Sequence, residues 1–158
     1  MSRPELPLKG HCRCGQVQLE VKAQPRLSVA CHCRGCQRMT ASAFSLALAI
    51  PAEGFELTAG EPVLGGLHGP TQQYFCPHCL SWLFTRTARL EGMVMLRTPL
   101  LEDAAAFPPF VDIYVSEKLP WAQTGAKHAY PQFPSLEDYG ELMRAYAAGV
   151  AEEGAQAN

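Results

Sequence analysis

The chain has no eighth cysteine, no surplus of basic charge and no long apolar run, and each absence removes a class of protein. No segment approaches the roughly 18 apolar residues of a membrane span; Ala41 to Pro51 is apolar, but it is short and alternates like a strand. Thirteen Lys and Arg against fifteen Asp and Glu leave a net charge of −2, so the basic footprint of a nucleic-acid binder is missing. The opening Met1-Ser-Arg-Pro-Glu-Leu-Pro carries no apolar leader region, which argues against secretion and sets the expectation of a cytoplasmic protein. In a reducing compartment closely spaced thiols are metal ligands more often than disulfides. An odd seven would also leave one thiol over. Paired carboxylates are absent too: Glu53, Glu61, Asp112 and Glu117 are scattered, and no residue stands out as a general acid or base.

What is present is a turn-rich globular composition, 47% apolar with 13 Gly and 13 Pro, in a length that fits a single domain over residues 1–158. Alternation of apolar residues marks half-buried strands. Val17, Leu19 and Val21 oppose Gln16, Gln18 and Glu20; Phe44, Leu46, Leu48 and Ile50 oppose Ser45, Ala47 and Ala49. Further strands are expected over 55–58, 72–76, 82–86, 93–97 and 111–115, separated by Pro and Gly. Many short strands at this spacing predict a mainly β, antiparallel domain. One helix is expected over about 136–148: Ser135 caps it, and Leu136, Tyr139, Leu142, Met143 and Tyr146 form its apolar stripe. Residues 149–158 read as a flexible tail.

The cysteines fall into Cys12-Arg-Cys14, Cys31-His-Cys33-Arg-Gly-Cys36 and Cys76-Pro-His-Cys79. Structural zinc takes four protein ligands, catalytic zinc three and an open position. Seven is four plus three. Cys12 and Cys14, if on a strand, project from one face as a two-pronged claw. Cys76 and Cys79 curl around an ion in a tight turn. Spacing leaves the pairing open: Cys12 and Cys14 could join Cys33 and Cys36 instead. Pairing Cys12/Cys14 with Cys76/Cys79 is preferred because it keeps the compact cluster Cys31, Cys33 and Cys36 whole. His32, between two ligands on a strand, would face away from the metal. His11, His68, His78 and His128 are read as surface or partly buried, and Trp82 and Trp121 as core.

The segments Gly10-His-Cys-Arg-Cys-Gly-Gln-Val17, Cys31-His-Cys-Arg-Gly-Cys-Gln-Arg-Met-Thr-Ala-Ser-Ala-Phe44 and Tyr74-Phe-Cys-Pro-His-Cys79 resemble the glutathione-dependent formaldehyde-activating enzyme family, whose domain is shared with centromere protein V. The resemblance covers roughly residues 8–121, with Trp121 matching a late tryptophan. It implies a two-zinc β-tent fold, a closed structural zinc on Cys12, Cys14, Cys76 and Cys79, and a labile catalytic zinc on Cys31, Cys33 and Cys36. Leu80 stands where the family's motif usually has glycine, so a different turn is expected there. Thr40-Ala41 replaces a common Ser-Gly.

Three thiolates make an electron-rich zinc, better matched to a soft thiol than to water activation. The expected function is therefore a zinc-dependent carbon–sulfur lyase or thiol-adduct synthase, with glutathione and a formaldehyde-like electrophile implied by the resemblance. Glutathione carries two carboxylates, for which Arg34 and Arg38 are the candidate contacts, with Arg13 next. The competing readings are a non-enzymatic zinc module that binds a protein or nucleic acid, and a thiol or metal sensor.

Overall fold

The computed structural model describes residues 2–156. Strands β1 (Leu8–His11), β2 (Gln18–Val21) and β5 (Phe55–Ala59) form a small antiparallel sheet in the order β1-β2-β5. The larger sheet has eight strands, ordered β11 (His128–Ala129), β10 (Val111–Ile113), β3 (Leu27–Cys31), β4 (Ser45–Pro51), β9 (Met93–Arg97), β8 (Trp82–Arg86), β7 (Gln72–Phe75) and β6 (Val63–Gly65). The mainly β class read from the alternation and turn spacing is what the chain adopts. The departure is β10, which runs parallel to both β3 and β11; its partners are set by long-range crossovers that local patterning does not carry.

Val17, Leu19 and Val21 are buried while Gln16 and Gln18 are exposed, as a half-buried strand requires. β4 differs. Ala47 to Ile50 are all buried, because this strand lies between β3 and β9 with core on both faces. Leu48 and Ile50 pack in one cluster with Val17, Leu83, Phe84 and Leu96. Ala49 packs in the other, with Leu27, Val29 and Val111, and with Tyr139, Leu142 and Tyr146 from helix α2 (Leu136–Gln156).

Ser135 caps α2 as expected: its Oγ accepts the Asp138 N–H at 3.1 Å. The helix does not stop near residue 148 but runs to Gln156, through most of the stretch read as a tail. Ala147, Ala148, Ala151 and Glu153 are strong helix formers that outweigh Gly149 there. Residues 157 and 158, the end of that tail, lie outside the described residues. Leu136, counted in the apolar stripe, is exposed at the first helical position.

One close approach positions the metal region. A Cβ on Gly10 would lie 2.7 Å from the Leu100 carbonyl oxygen, so glycine lets β1 reach the turn that follows β9, where Gly10 bridges to Leu101. The first cysteine pair begins two residues later.

Candidate metal centres

Cys12-Arg-Cys14 does not lie on a strand. β1 ends at His11, and the pair occupies the turn that follows. That turn repeats the geometry of Cys76-Pro-His-Cys79. The Cys12 N–H donates to Val17 O and the Cys76 N–H to Ser81 O, both at 3.0 Å and both spanning five residues. Each leading sulfur also accepts a backbone N–H, from Val17 to Cys12 Sγ at 3.3 Å and from Cys79 to Cys76 Sγ at 3.5 Å. Each turn closes on a left-handed residue, Gly15 at φ 82° and Leu80 at φ 58°. The turn expected to differ at Leu80 therefore keeps its shape, with leucine held where glycine is at ease. Ala41, the C-cap of helix α1 (Arg34–Thr40), is left-handed as well, at φ 50°. A left-handed non-glycine residue costs roughly 1–2 kcal/mol.

The two turns bring Cys12, Cys14, Cys76 and Cys79 together, with all four sulfurs within 4.8 Å of one another. Cys12 Sγ and Cys14 Sγ are 3.5 Å apart, and Cys14 Sγ and Cys76 Sγ 3.8 Å. These separations exclude a disulfide, which needs about 2.05 Å. They match the edge of a tetrahedron drawn at a zinc–sulfur distance of about 2.3 Å, which is about 3.8 Å. Ionisation without a cation is frustrated here. The Gln16 N–H favours a Cys14 thiolate, but desolvation and the sulfurs of Cys12, Cys79 and Cys76 push this thiol up to about 11. Burial opposes a Cys79 thiolate, yet the Ser81 hydroxyl and the N–H groups of Ser81 and Cys14 hold it down to about 5. Four thiolates at this spacing need a cation between them, and the donor set fits zinc.

Cys31, Cys33 and Cys36 form the second group, three half-buried sulfurs within 4.8 Å. They do not share one strand. Cys31 ends β3, Cys33 is the N-cap of α1, and Cys36 lies in the first turn of that helix, its N–H donating to Cys33 Sγ at 3.3 Å. The helix was not expected, since Arg34-Gly-Cys-Gln-Arg-Met-Thr40 has no apolar stripe. The neighbouring Cys31 sulfur holds the Cys33 thiol well below its ordinary range, and in turn Cys33 pushes Cys31 well above it. No fourth Cys, His or carboxylate joins this group among the described residues.

His32 is fully buried, and its Nε2 lies 3.2 Å from Asp112 Oδ1, near enough for an ion pair but off the line of a hydrogen bond. Asp112 Oδ1 accepts from Thr124 Oγ1 at 2.7 Å. Two carboxylates read as scattered thus converge on this segment, for Glu117 Oε1 accepts the Arg34 N–H at 3.1 Å. Gln37 ties the helix down by donating to the carbonyls of His32 at 2.7 Å and Glu117 at 3.0 Å.

Arg34 and Arg38 are exposed and line one groove with Gln37, Phe44, Leu119 and Trp121. Trp121, expected in the core, is 72% exposed on that groove's wall. Arg13 is exposed beside the four-sulfur site, with its N–H donating to Ser81 Oγ. His11, His68, His78 and His128 are all exposed. The sequence reading missed Arg97. It ends β9, pairs through Ala47 with β4, and donates from Nη1 to Ser45 Oγ at 3.2 Å, while Ser45 itself pairs with Cys31 across β3 and β4. Its guanidinium lies 4.1 Å over the Trp82 ring. Burial lowers Arg97 to about 10, against the sulfurs of Cys36, Cys31 and Cys33, which favour its charge.

Two cysteine clusters, one closed by two matched turns and one open at a strand-to-helix junction, define a mainly β protein whose thiols could hold metal ions. The family model for glutathione-dependent formaldehyde-activating enzymes matches residues 7–117, and the chain belongs to that family. A solved structure of a Rhodobacter sphaeroides protein shares the fold at a TM-score of 0.51 and 21% identity, covering 60% of this chain and 87% of that one. No curated protein matches the chain. No helix among the described residues is long and apolar enough to cross a membrane.

Proposed function

We propose that this chain is a zinc-dependent carbon–sulfur lyase, or in the opposite direction a thiol-adduct synthase, acting on glutathione and a small formaldehyde-like electrophile. The observation that carries the reading is the open cup: Cys31, Cys33 and Cys36 converge within 4.8 Å with no fourth protein ligand among the described residues. When bound there, zinc supplies a soft, electron-rich fourth position suited to drawing in a thiol as its thiolate. In the synthetic direction the thiol's S–H bond breaks, the sulfur bonds to the carbonyl carbon as the C=O π bond opens onto oxygen, and the proton ends on that oxygen. The lyase direction reverses each change.

The chain's own residues hold and aim the reactants. Cys33, as N-cap, is oriented by the Cys36 N–H. Gln37 and Glu117 fix the start of α1 against the turn that follows β10. Arg34 and Arg38 face the groove beside the cup, where they would pair with the carboxylates of glutathione while Trp121 covers the peptide. Cys12, Cys14, Cys76 and Cys79 take a structural role as ligands of a second zinc. Family membership supports the glutathione and formaldehyde assignment.

The test uses the chain loaded with cobalt in place of zinc. Glutathione should strengthen the sulfur-to-cobalt charge-transfer absorption, S-methylglutathione should not, and Cys33→Ser should abolish the response. An unchanged spectrum on adding glutathione would remove the thiol site from the reading.

A further inference from the structure

A cleft of about 650 Å³ reaches from Cys12 and Ser81 to Thr40, Ser45 and Arg97. It is far larger than a one-carbon aldehyde requires. Its walls are mostly apolar, with Met39, Phe44, Leu46, Trp82 and Leu101 among them. Two arginines line it, Arg13, which is exposed, and Arg97, which is only 9% exposed. A buried guanidinium ordinarily finds a carboxylate. Among the described residues no carboxylate lies within ion-pair distance of Arg97, and only the sulfurs of Cys36, Cys31 and Cys33 favour its charge. Two N–H donors on this wall, Arg97 Nε and Trp82 Nε1, are buried without a partner, and unmatched buried donors in a cavity wall are an expected mark of a missing ligand.

We infer that this cleft is a specificity site for an apolar substrate group bearing a carboxylate, with Arg97 as the carboxylate contact and Trp82 as the adjoining wall. The inference rests on the proposed thiol chemistry and refines it: the electrophile is not formaldehyde itself but a carbonyl compound that carries an apolar acidic group. Ser45 links the two sites, since it accepts from Arg97 and sits opposite Cys31. A bound carboxylate at Arg97 would place the rest of the molecule beside the open cup. Glu102 at the outer wall is the acidic residue lining the cleft, and it would disfavour a carboxylate entering in the reverse orientation.

Calorimetric titration of the zinc-loaded chain with phenylacetate and with phenylacetamide, its uncharged counterpart, tests this directly. Phenylacetate should bind saturably and at least tenfold more tightly than the amide, and Arg97→Gln should weaken it at least tenfold while leaving the amide unchanged. Equal binding of the two, or none, overturns the inference, and the native chain alone decides this if the variant does not fold. Phenylacetate binding that survives in Arg97→Gln and shifts the cobalt spectrum is direct coordination to the metal, which overturns it too. The glutathione response of the cobalt-loaded chain is read separately. Glutathione response without carboxylate selectivity sinks the cleft and leaves the lyase reading. Carboxylate selectivity without glutathione response supports the cleft as a binding site and sinks the thiol chemistry it was meant to serve.

Discussion

The four-sulfur and three-sulfur groups use the same ligand atom in opposite ways. The first draws on two turns 62 residues apart in sequence, each with its own backbone bonds and each ending on a left-handed residue. An ion held there would tie the small sheet's first strand to the end of β7, closing a long loop. The second takes all its ligands from six consecutive residues at one strand-to-helix junction, so an ion there closes almost no chain. Distant ligands make metal binding part of folding; local ligands leave the ion free to exchange while the fold persists. A bound metal would have a filled coordination sphere at the first group and an open position at the second.

Loss of a ligand has its largest effect at the four-sulfur site, where it reaches the fold. Structural zinc sites contribute about 10–16 kcal/mol in small domains, as much as the whole stability of a domain at about 5–15 kcal/mol. Cys14→Ser or Cys79→Ser is therefore expected to abolish the cooperative thermal transition seen by circular dichroism. Cys33→Ser should leave that transition in place and remove only the second metal. Identical unfolding in both kinds of variant would erase the distinction.

Metal removal sharpens the same point. A graded chelator titration should strip one equivalent of zinc well before the other, and glutathione should protect the labile one. Lowering the pH works in the same sense, because protons recapture the thiolates on which each site depends; the open cup should empty first.

A smaller effect is expected at Asp112, which faces the buried His32 between two of the cup's ligands. Asp112→Ala leaves that imidazole without its partner, a cost of about 1–3 kcal/mol. Metal affinity at the cup should fall roughly 10–100-fold, as when groups supporting a ligand shell are lost. Calorimetric zinc titration of the variant checks both the size and the site.

The smallest effect runs the other way. Leu80→Gly and Ala41→Gly relieve left-handed strain of roughly 1–2 kcal/mol, partly offset by about 0.4–1 kcal/mol from the freer unfolded chain. Each is expected to raise the melting temperature by roughly 1–4 °C, Leu80→Gly through the closed site and Ala41→Gly through the open one. A lowered melting temperature in either would mean that the side chain makes contacts worth more than the strain.

Local patterns were legible and long-range pairings were not. Strands at Trp82–Arg86 and Met93–Arg97 and the Ser135 cap stand where alternation and capping chemistry put them. The seven cysteines separate into four and three, and the short repeats that carry them are visible by eye. Helix α1 was hidden because its residues lack an apolar face and its start is set by a cysteine acting as N-cap. The Cys12 turn was read as a strand because spacing by two fits either. Arg97 beside the cup, and Asp112 beside His32, arise from the pairing of β4 with β9 and of β3 with β10. Such neighbours are decided by sheet order. Residue type alone puts Trp121 in the core, yet it stands exposed on a groove wall, a position that long-range packing decides.

Zinc at both sites would leave one ion sulfur-saturated and the other one sulfur short. Zinc-edge X-ray absorption on the fully loaded chain, without and with glutathione, reads this number directly. Seven sulfurs over two ions should give an average of about 3.5 sulfurs per zinc, rising to about 4 when the thiol occupies the open position. An average that is already about 4 without glutathione, or that does not rise when it is added, would contradict the account.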